Sequence, residues 1–397
     1  LDVANITGAS VMGPSFIRTL GNVSIGGLTT IVGRGPQATV TVTSATGRQQ
    51  TIPTLPPVLS VPNNPGDFSL AAGGTVTING NMTIQGGTRN LNIAAISGIN
   101  QTGGTVQAQN IVWGPNTAVF GSGFGTTGGI TQTGGSITAN GASSFNGSTG
   151  ISLIQAANDF VGSVTLNSSA AGAAAISIVD ANNLTLAAPV LGANTGISAV
   201  AGSTLTLPAS AISTGTGNIN FRSNGGALVT AANLTTSSGT ITLAGSTGLT
   251  LNHAVTTTLS TGNGGTLTLS SASGVVNQTG GSLVIQGTTQ VTNSAANQSI
   301  TLAQASNDFT GAVTLTTAAG GNISIRDANA LNIGGINMGT SLTPGTGSLT
   351  IAVGTALTQS GVINTGTGGV TINATAANTD INLASFANAI RAANITF

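Results

Sequence analysis

Ala157-Asn158-Asp159-Phe160-Val161-Gly162-Ser163-Val164-Thr165-Leu166 returns later in the chain as Ser306-Asn307-Asp308-Phe309-Thr310-Gly311-Ala312-Val313-Thr314-Leu315. The end of each stretch alternates apolar and polar side chains, and a period of two puts the aliphatics on one face of a strand and Thr on the other. The Asn-Asp and Gly before it are turn residues. The unit is therefore a strand of three to five residues closed by Gly, Asn or Ser. It recurs at Leu184-Thr185-Leu186, Leu205-Thr206-Leu207, Ile241-Thr242-Leu243 and Leu267-Thr268-Leu269.

The 60 glycines fix where these strands stop. Inside strands they would each cost roughly 0.5–1 kcal/mol, a handicap of about 30–60 kcal/mol that exceeds the net stability of any domain. They belong mostly in turns.

The strand packets recur at a coarse period of roughly 21 residues, within the range of solenoid repeats. Leu184 to Leu205 is a step of 21, and Ile176, Ile197, Ile219 and Ile241 follow at 21, 22 and 22. Two or three short strands per period is the arithmetic of one rung of a parallel β-helix, whose rungs bury their apolar faces only by stacking. The expected fold is all-β, a parallel β-solenoid. About 19 rungs at ~4.8 Å each would stack to a length on the order of 90 Å.

A longer repeat overlies the short one. Ile130-Thr131-Gln132-Thr133-Gly134-Gly135-Ser136-Ile137 returns as Val276-Asn277-Gln278-Thr279-Gly280-Gly281-Ser282-Leu283, and Asp180-Ala181-Asn182-Asn183-Leu184 returns as Asp327-Ala328-Asn329-Ala330-Leu331. With the opening pair, the offsets are 146 (276 minus 130), 149 (306 minus 157) and 147 (327 minus 180). A block of about 147 residues is duplicated, approximately 130–275 and 276–397, and duplication by whole rungs suits a solenoid. Fragments of the same motifs stand at Gln101-Thr102-Gly103-Gly104 and Thr358-Gln359-Ser360-Gly361. A calcium β-roll would need Gly-Gly-x-Gly-x-Asp nonapeptides, and a propeller would need regular blades with aromatic signatures; neither pattern is present.

The beginning of the chain reads differently. Eight of the eleven prolines fall at or before Pro115, with Pro53, Pro56, Pro57, Pro62 and Pro65 closely spaced, so 53–67 is no central strand. The expected organisation is an N-terminal β segment, cap or assembly arm at 1–52, a Pro-rich linker or loop at 53–67, and the solenoid from 68 to 397.

Composition narrows the function. All seven cations are Arg and all seven anions are Asp, so the net charge is zero and only 4% of residues are charged. An ordinary soluble domain carries roughly 25%. Scattered Arg give no footprint for nucleic acid. At 39% apolar residues and a mean hydropathy of +0.35, the chain can bury a core. Its most apolar run, about ten residues around Ala170–Val179, is too short for a membrane helix. One Trp and no Tyr cannot make the aromatic girdles of a membrane barrel. Absence of Cys fits a bacterial secreted or surface protein, and a first residue other than Met fits a processed or excerpted chain.

The Asn-Asp-Phe-x-Gly-x-Val-x-Leu units, the Asp-Ala-Asn-x-Leu units and the Gln-Thr-Gly-Gly and Gln-Ser-Gly units resemble the repeat regions of large bacterial adhesins of the filamentous-haemagglutinin and autotransporter-passenger kind. The likeness covers roughly residues 100–390. It implies an exported, right-handed β-helix acting in attachment, aggregation or biofilm. The secretion domain and translocator barrel of that family are not recognisable in this sequence.

Candidate sites are few. Asp159 and Asp180 are offset by 21 and Asp308 and Asp327 by 19, so each pair could stack on adjacent rungs and hold Ca²⁺ or serve as acid and base. The commoner role of Asn-Asp is to close a turn through its own backbone. A polysaccharide-cleaving β-helix needs several clustered carboxylates with a nearby cation. Arg326 precedes Asp327, but the counterpart before Asp180 is Val179, so the duplicated unit does not keep the cation. No catalytic residue, metal or cofactor is assigned. His253 is the only His and reads as a turn residue. Trp113, Phe120 and Phe124 could form a sugar-stacking patch, although scarce aromatics usually pack inside. The Thr-x-Thr motifs at 204–206, 240–242 and 266–268 are offset by 36 and 26, which does not match one rung of an ice-binding Thr ladder. Sequons such as Asn81-Met82-Thr83 and Asn183-Leu184-Thr185 are expected by chance in this composition.

The expectation is a non-catalytic, extracellular structural or adhesive solenoid. Zero net charge removes repulsion between copies, and solenoid ends leave unpaired strand edges, so the leading partner is a second copy, stacked head to tail or exchanging a strand. A cell-surface glycan or receptor is the other partner expected. A polysaccharide-binding or polysaccharide-cleaving β-helix is the alternative.

Overall fold

In the computed structural model, residues 3–7, 15–19, 22–31, 40–44, 49–52, 67–84, 89–115, 128–169, 172, 175–260, 263–339, 345–376 and 380–397 are described. They form a parallel β-solenoid of about 13 turns, with about 23 residues per turn and no helix among them. Among the described residues no helix is long and apolar enough to cross a membrane. The expected fold class holds, with fewer and longer turns than the spacing of the strand packets gives. The chain clusters into two compact units, Leu1–Thr195 and Gly196–Phe397.

In the first unit, each turn carries three short strands. One face stacks Thr75–Ile78, Gly98–Gln101, Gly129–Gln132, Ile151–Leu153 and Ile176–Asp180, with Val76, Ile99, Ile130, Ile151 and Ile176 in one column. A second face stacks Met82–Ile84, Thr105–Ala108, Ser136–Ala139 and Asp159–Phe160. A third stacks Phe68–Ala72, Asn90–Ala95, Asn110–Trp113, Ser143–Asn146 and Ser163–Ser168. Trp113, Phe145 and Phe160 fill the interior with edge-to-face contacts, the ring centroids being 5.6 Å and 5.8 Å apart. Such pairs contribute about 0.5–1.5 kcal/mol beyond the area they bury.

The N-terminal strands do not stand apart from this stack. Ser15–Thr19 pairs in parallel with Phe68–Ala72, and Val23–Ile25 pairs with Val76–Ile78. Val3–Thr7 pairs in parallel with Val23–Ile31 and antiparallel with Val40–Ser44, which pairs antiparallel with Gln49–Ile52. The strands before the Pro-rich segment thus continue the sheets formed by those after it; residues 53–66, most of the expected linker, lie outside the described residues.

In the second unit, one face runs Ile197–Ala201, Ile219–Ser223, Ile241–Gly245, Leu267–Ser271, Thr289–Asn293 and Val313–Thr317, with buried residues alternating with more exposed ones along most of each strand. Along the column Ile197, Ile219, Ile241, Leu267, Thr289 and Val313 the residue numbers advance by 22, 22, 26, 22 and 24. The strands keep their length; the corners absorb the variation. Two further faces stack Val276–Gln278, Ile300–Leu302, Ile323–Asp327, Leu349–Val353 and Val370–Ala374, and Leu234–Thr236, Val255–Thr257, Leu283–Ile285 and Asp308–Phe309.

The variable step corrects one expectation from spacing. The offset of 26 between Thr240 and Thr266 is one turn: Thr242 pairs with Thr268, and the Thr240 and Thr266 hydroxyls are 2.9 Å apart. The next residue in the Thr242–Thr268 column is Gln290, so that run of Thr ends after two turns.

Corner asparagines knit successive turns. The side-chain oxygens of Asn81, Asn218, Asn233 and Asn322 accept the backbone N–H of Thr105, Thr240, Ala254 and Ser348 at 2.8, 2.8, 3.1 and 2.8 Å. A side-chain amide replaces the backbone acceptor that a corner cannot supply, so the ladder continues around it.

Candidate functional site

The duplicated motifs meet inside the stack. Gln132 lies at an inward position of its strand and is 1% exposed, and Asn158 of the following turn is fully buried. Their amides pair in both directions: Gln132 Nε2 donates to Asn158 Oδ1 and Asn158 Nδ2 donates to Gln132 Oε1, each at 2.8 Å. Asn158 also accepts from the Ile137 N–H at 2.9 Å and donates to the Leu153 carbonyl at 3.2 Å. Both its oxygen and its nitrogen are satisfied twice, which offsets the cost of burying an amide.

The second copy repeats this clasp. Gln278 and Asn307 pair in both directions at 2.8 Å, and Asn307 joins Leu283 N–H at 2.9 Å and the Leu302 carbonyl at 3.1 Å. A third clasp closes near the end of the chain, where Asn388 pairs with Gln359, accepts from Ile363 N–H at 2.9 Å and donates to the Leu383 carbonyl at 2.7 Å. Reading Asn158 and Asn307 as residues closing their own turn misses the contact that matters, which reaches the preceding turn. The sequence holds a signal for it. In Ile130-Thr131-Gln132, Val276-Asn277-Gln278 and Leu357-Thr358-Gln359 the alternation aims a Gln inward, and an Asn follows at offsets of 26, 29 and 29.

The Gln-Thr-Gly-Gly motif also supplies the corner. Gly135 and Gly281 adopt φ of 77° and 65°, the left-handed region. A Cβ on Gly135 would land on the Gly104 carbonyl oxygen of the turn below, and one on Gly281 would land on the His253 carbonyl carbon. Glycine is required there by both conformation and close approach.

The aspartates divide into two environments. Asp180 and Asp327 are inward and 1% exposed, whereas Asp159 and Asp308 are half-buried. Asp180 accepts the Phe160 N–H of the preceding turn at 2.7 Å and the Asn182 N–H at 2.6 Å; Asp327 accepts the Phe309 and Asn329 N–H groups at 2.8 and 2.6 Å. Desolvation by burial pushes both carboxyls above the usual Asp value, against the lowering effect of those N–H donors; the neighbouring Asp159 or Asp308 charge adds to the rise. Each expected pair is therefore brought onto adjacent turns, with one member spent on stapling them. No group of three or more His, Cys, Asp or Glu side chains comes together among the described residues.

The remaining candidates are dispersed. Trp113 is fully buried, so its indole packs in the core and offers no face to a sugar; Phe120 and Phe124 lie outside the described residues. His253 sits at a corner with Nδ1 2.9 Å from the Thr230 carbonyl of the preceding turn and 2.7 Å from Asn252 Oδ1.

Two stretches, residues 116–167 and 246–316, match a family described as repeats of unknown function (DUF5649). They contain Gln132 with Asn158 and Gln278 with Asn307, so each matched stretch carries one complete clasp. No curated protein and no solved structure matches the chain. What the comparisons establish is that this β-solenoid is similar, over two of its three clasp-bearing stretches, to that repeat family.

Proposed function

We propose that the chain is a non-catalytic, extracellular solenoid with a structural and adhesive role, of the kind displayed by filamentous-haemagglutinin and autotransporter-passenger adhesins. Its partners are further copies of itself, in a surface fibre, sheath or biofilm matrix, and a cell-surface glycan. The observation that carries this reading is where the reactive side chains go. The buried Gln, Asn and Asp spend their hydrogen bonds on neighbouring turns and on their own corners, and both oxygens of Asp180 and of Asp327 are committed to backbone N–H groups. Such carboxylates are poorly placed to act as acid, base or calcium ligand. A low charge content also favours close association between copies.

Negative-stain electron microscopy across a concentration series tests the self-assembling half. Filaments that lengthen with concentration are expected; isolated particles at every concentration would remove self-association and leave a displayed adhesin. Release of reducing ends or unsaturated sugars from polysaccharide would overturn the non-catalytic half.

A further inference from the structure

The outward side of the Ile219–Ser223 face of the second unit carries a shallow depression of about 260 Å³ lined by Arg222, Asn224, Ser246, Ser270 and Ser294, with Ala244 and Gly245 at its floor. Strand register builds it. Arg222, Ala244 and Ser270 form one column across three turns, and Ser223, Gly245, Ser271 and Asn293 form the next, so Asn224, Ser246, Ala272 and Ser294 follow as corner residues of four successive turns. Ala244 is 9% exposed, and its short side chain beside Arg222 opens the space.

The polar groups here differ from those at the other corners. Asn218, Asn233 and Asn322 give their amides to the next turn, and Ser223 and Ser271 bond backbone groups of their own unit. The side chains of Arg222, Asn224, Ser246, Ser270 and Ser294 take part in no hydrogen bond or ion pair among the described residues. No carboxylate and no aromatic ring lines the depression. A guanidinium with its donors unspent binds a carboxylate through two parallel N–H···O bonds, and a row of hydroxyls and an amide matches sugar hydroxyls. A row of corners about 4.8 Å apart suits an extended chain rather than a point anion. The volume, below the roughly 300–1,000 Å³ of ordinary small-molecule clefts, suits a surface contact with a unit of a longer polymer.

We infer that this depression is a binding site for an acidic polysaccharide, with Arg222 pairing a uronate carboxylate and Asn224, Ser246, Ser270 and Ser294 taking the sugar hydroxyls along the stack. The inference rests on the glycan-contacting half of the proposed function. Without a stacking ring, neutral glycans have no anchor here, so discrimination comes from the one ion pair.

Isothermal titration calorimetry of the full chain with trigalacturonate, cellotriose and sodium acetate tests it, with thermal melts to show that the variants fold. Trigalacturonate is expected to bind at least about tenfold more tightly than cellotriose or acetate, and to weaken as salt rises. Arg222→Gln, an exposed position, is expected to cost at least about tenfold; Ala244→Leu, which fills the floor, is expected to weaken trigalacturonate in the same way. Equal affinity for acetate would make this an anion site and overturn the sugar assignment. Trigalacturonate binding unchanged in both variants would overturn the site while leaving glycan contact standing elsewhere. No binding of trigalacturonate by the native chain would overturn the site and remove the support it lends to glycan contact, whereas self-association is judged separately by microscopy.

Discussion

Replacing Asn307 by Ala isolates the contribution of a clasp. The substitution removes four hydrogen bonds and strands at least the Leu283 N–H and the Gln278 side-chain oxygen, both buried. An unsatisfied buried polar group costs about 1–3 kcal/mol, so the expected loss is about 2–6 kcal/mol. Net stabilities of domains are only about 5–15 kcal/mol, so this is a large fraction. In a solenoid the effect stays close to the altered turn, because each turn contacts only its neighbours, and a single global unfolding curve would dilute it. Hydrogen exchange read by mass spectrometry on peptides spanning 276–309 is the suitable assay. A loss of about 4 kcal/mol accelerates exchange of those amides by about a thousandfold, at a factor of ten per ~1.4 kcal/mol. Two comparisons give the result its meaning. Asn322→Ala, at an exposed corner, frees one N–H to water and is expected to cost about 0.5–1.5 kcal/mol. Asn388→Ala breaks the third clasp where Asn388 is only half-buried, and should fall between the two. If Asn307→Ala costs less than about 1 kcal/mol, or no more than Asn322→Ala, the clasp does not hold the turns together.

Two further outcomes follow from the same geometry. Because burial raises the folded-state pKa of Asp180 and Asp327 above the unfolded value, the folded chain binds those protons more tightly; the stabilisation is fully present below about pH 3.9 and is lost as pH rises through the folded values. Urea midpoints at pH 4 should therefore equal or exceed those at pH 7, and the paired change Asp180→Asn with Asp327→Asn should flatten any rise; a midpoint that falls at pH 4 and is unaffected by the pair contradicts this. Gly135→Ala forces a left-handed residue and a clash with the Gly104 carbonyl, and should lower the melting temperature by the equivalent of more than ~1 kcal/mol, while Ala substituted at Gly172, which has φ of 66° but open space, should cost only the smaller conformational strain.

Much of this architecture was legible before any coordinate. Ile176-Ser177-Ile178-Val179-Asp180 and Ile323-Ser324-Ile325-Arg326-Asp327 show by simple alternation that both aspartates continue the inward row, and both are 1% exposed. The equivalence of the two blocks was visible in the three matching offsets, and the duplicated Gln–Asn clasp and the buried Asp make the same contacts in both. The clasp itself was not legible, since Gln132 and Asn158 are separated by a whole turn of sequence and nothing local says that two amides face each other. Nor was the depression at Arg222, which exists because Ala244 and Gly245 follow it one turn later.

Alternation along a strand is a local property, so the sequence alone determined which side chains face the core, where strands stop and that the turns must stack. Turn length was another matter. A rung closes where its corner fits against the rung below, and that fit depends on residues a full turn away, as in the pairing of Leu267 with Ile241 across the longest step of its column. Only the tertiary structure could therefore set the register, raise the turn to about 23 residues, and decide which polar side chains are consumed by the stack and which remain free to meet a ligand.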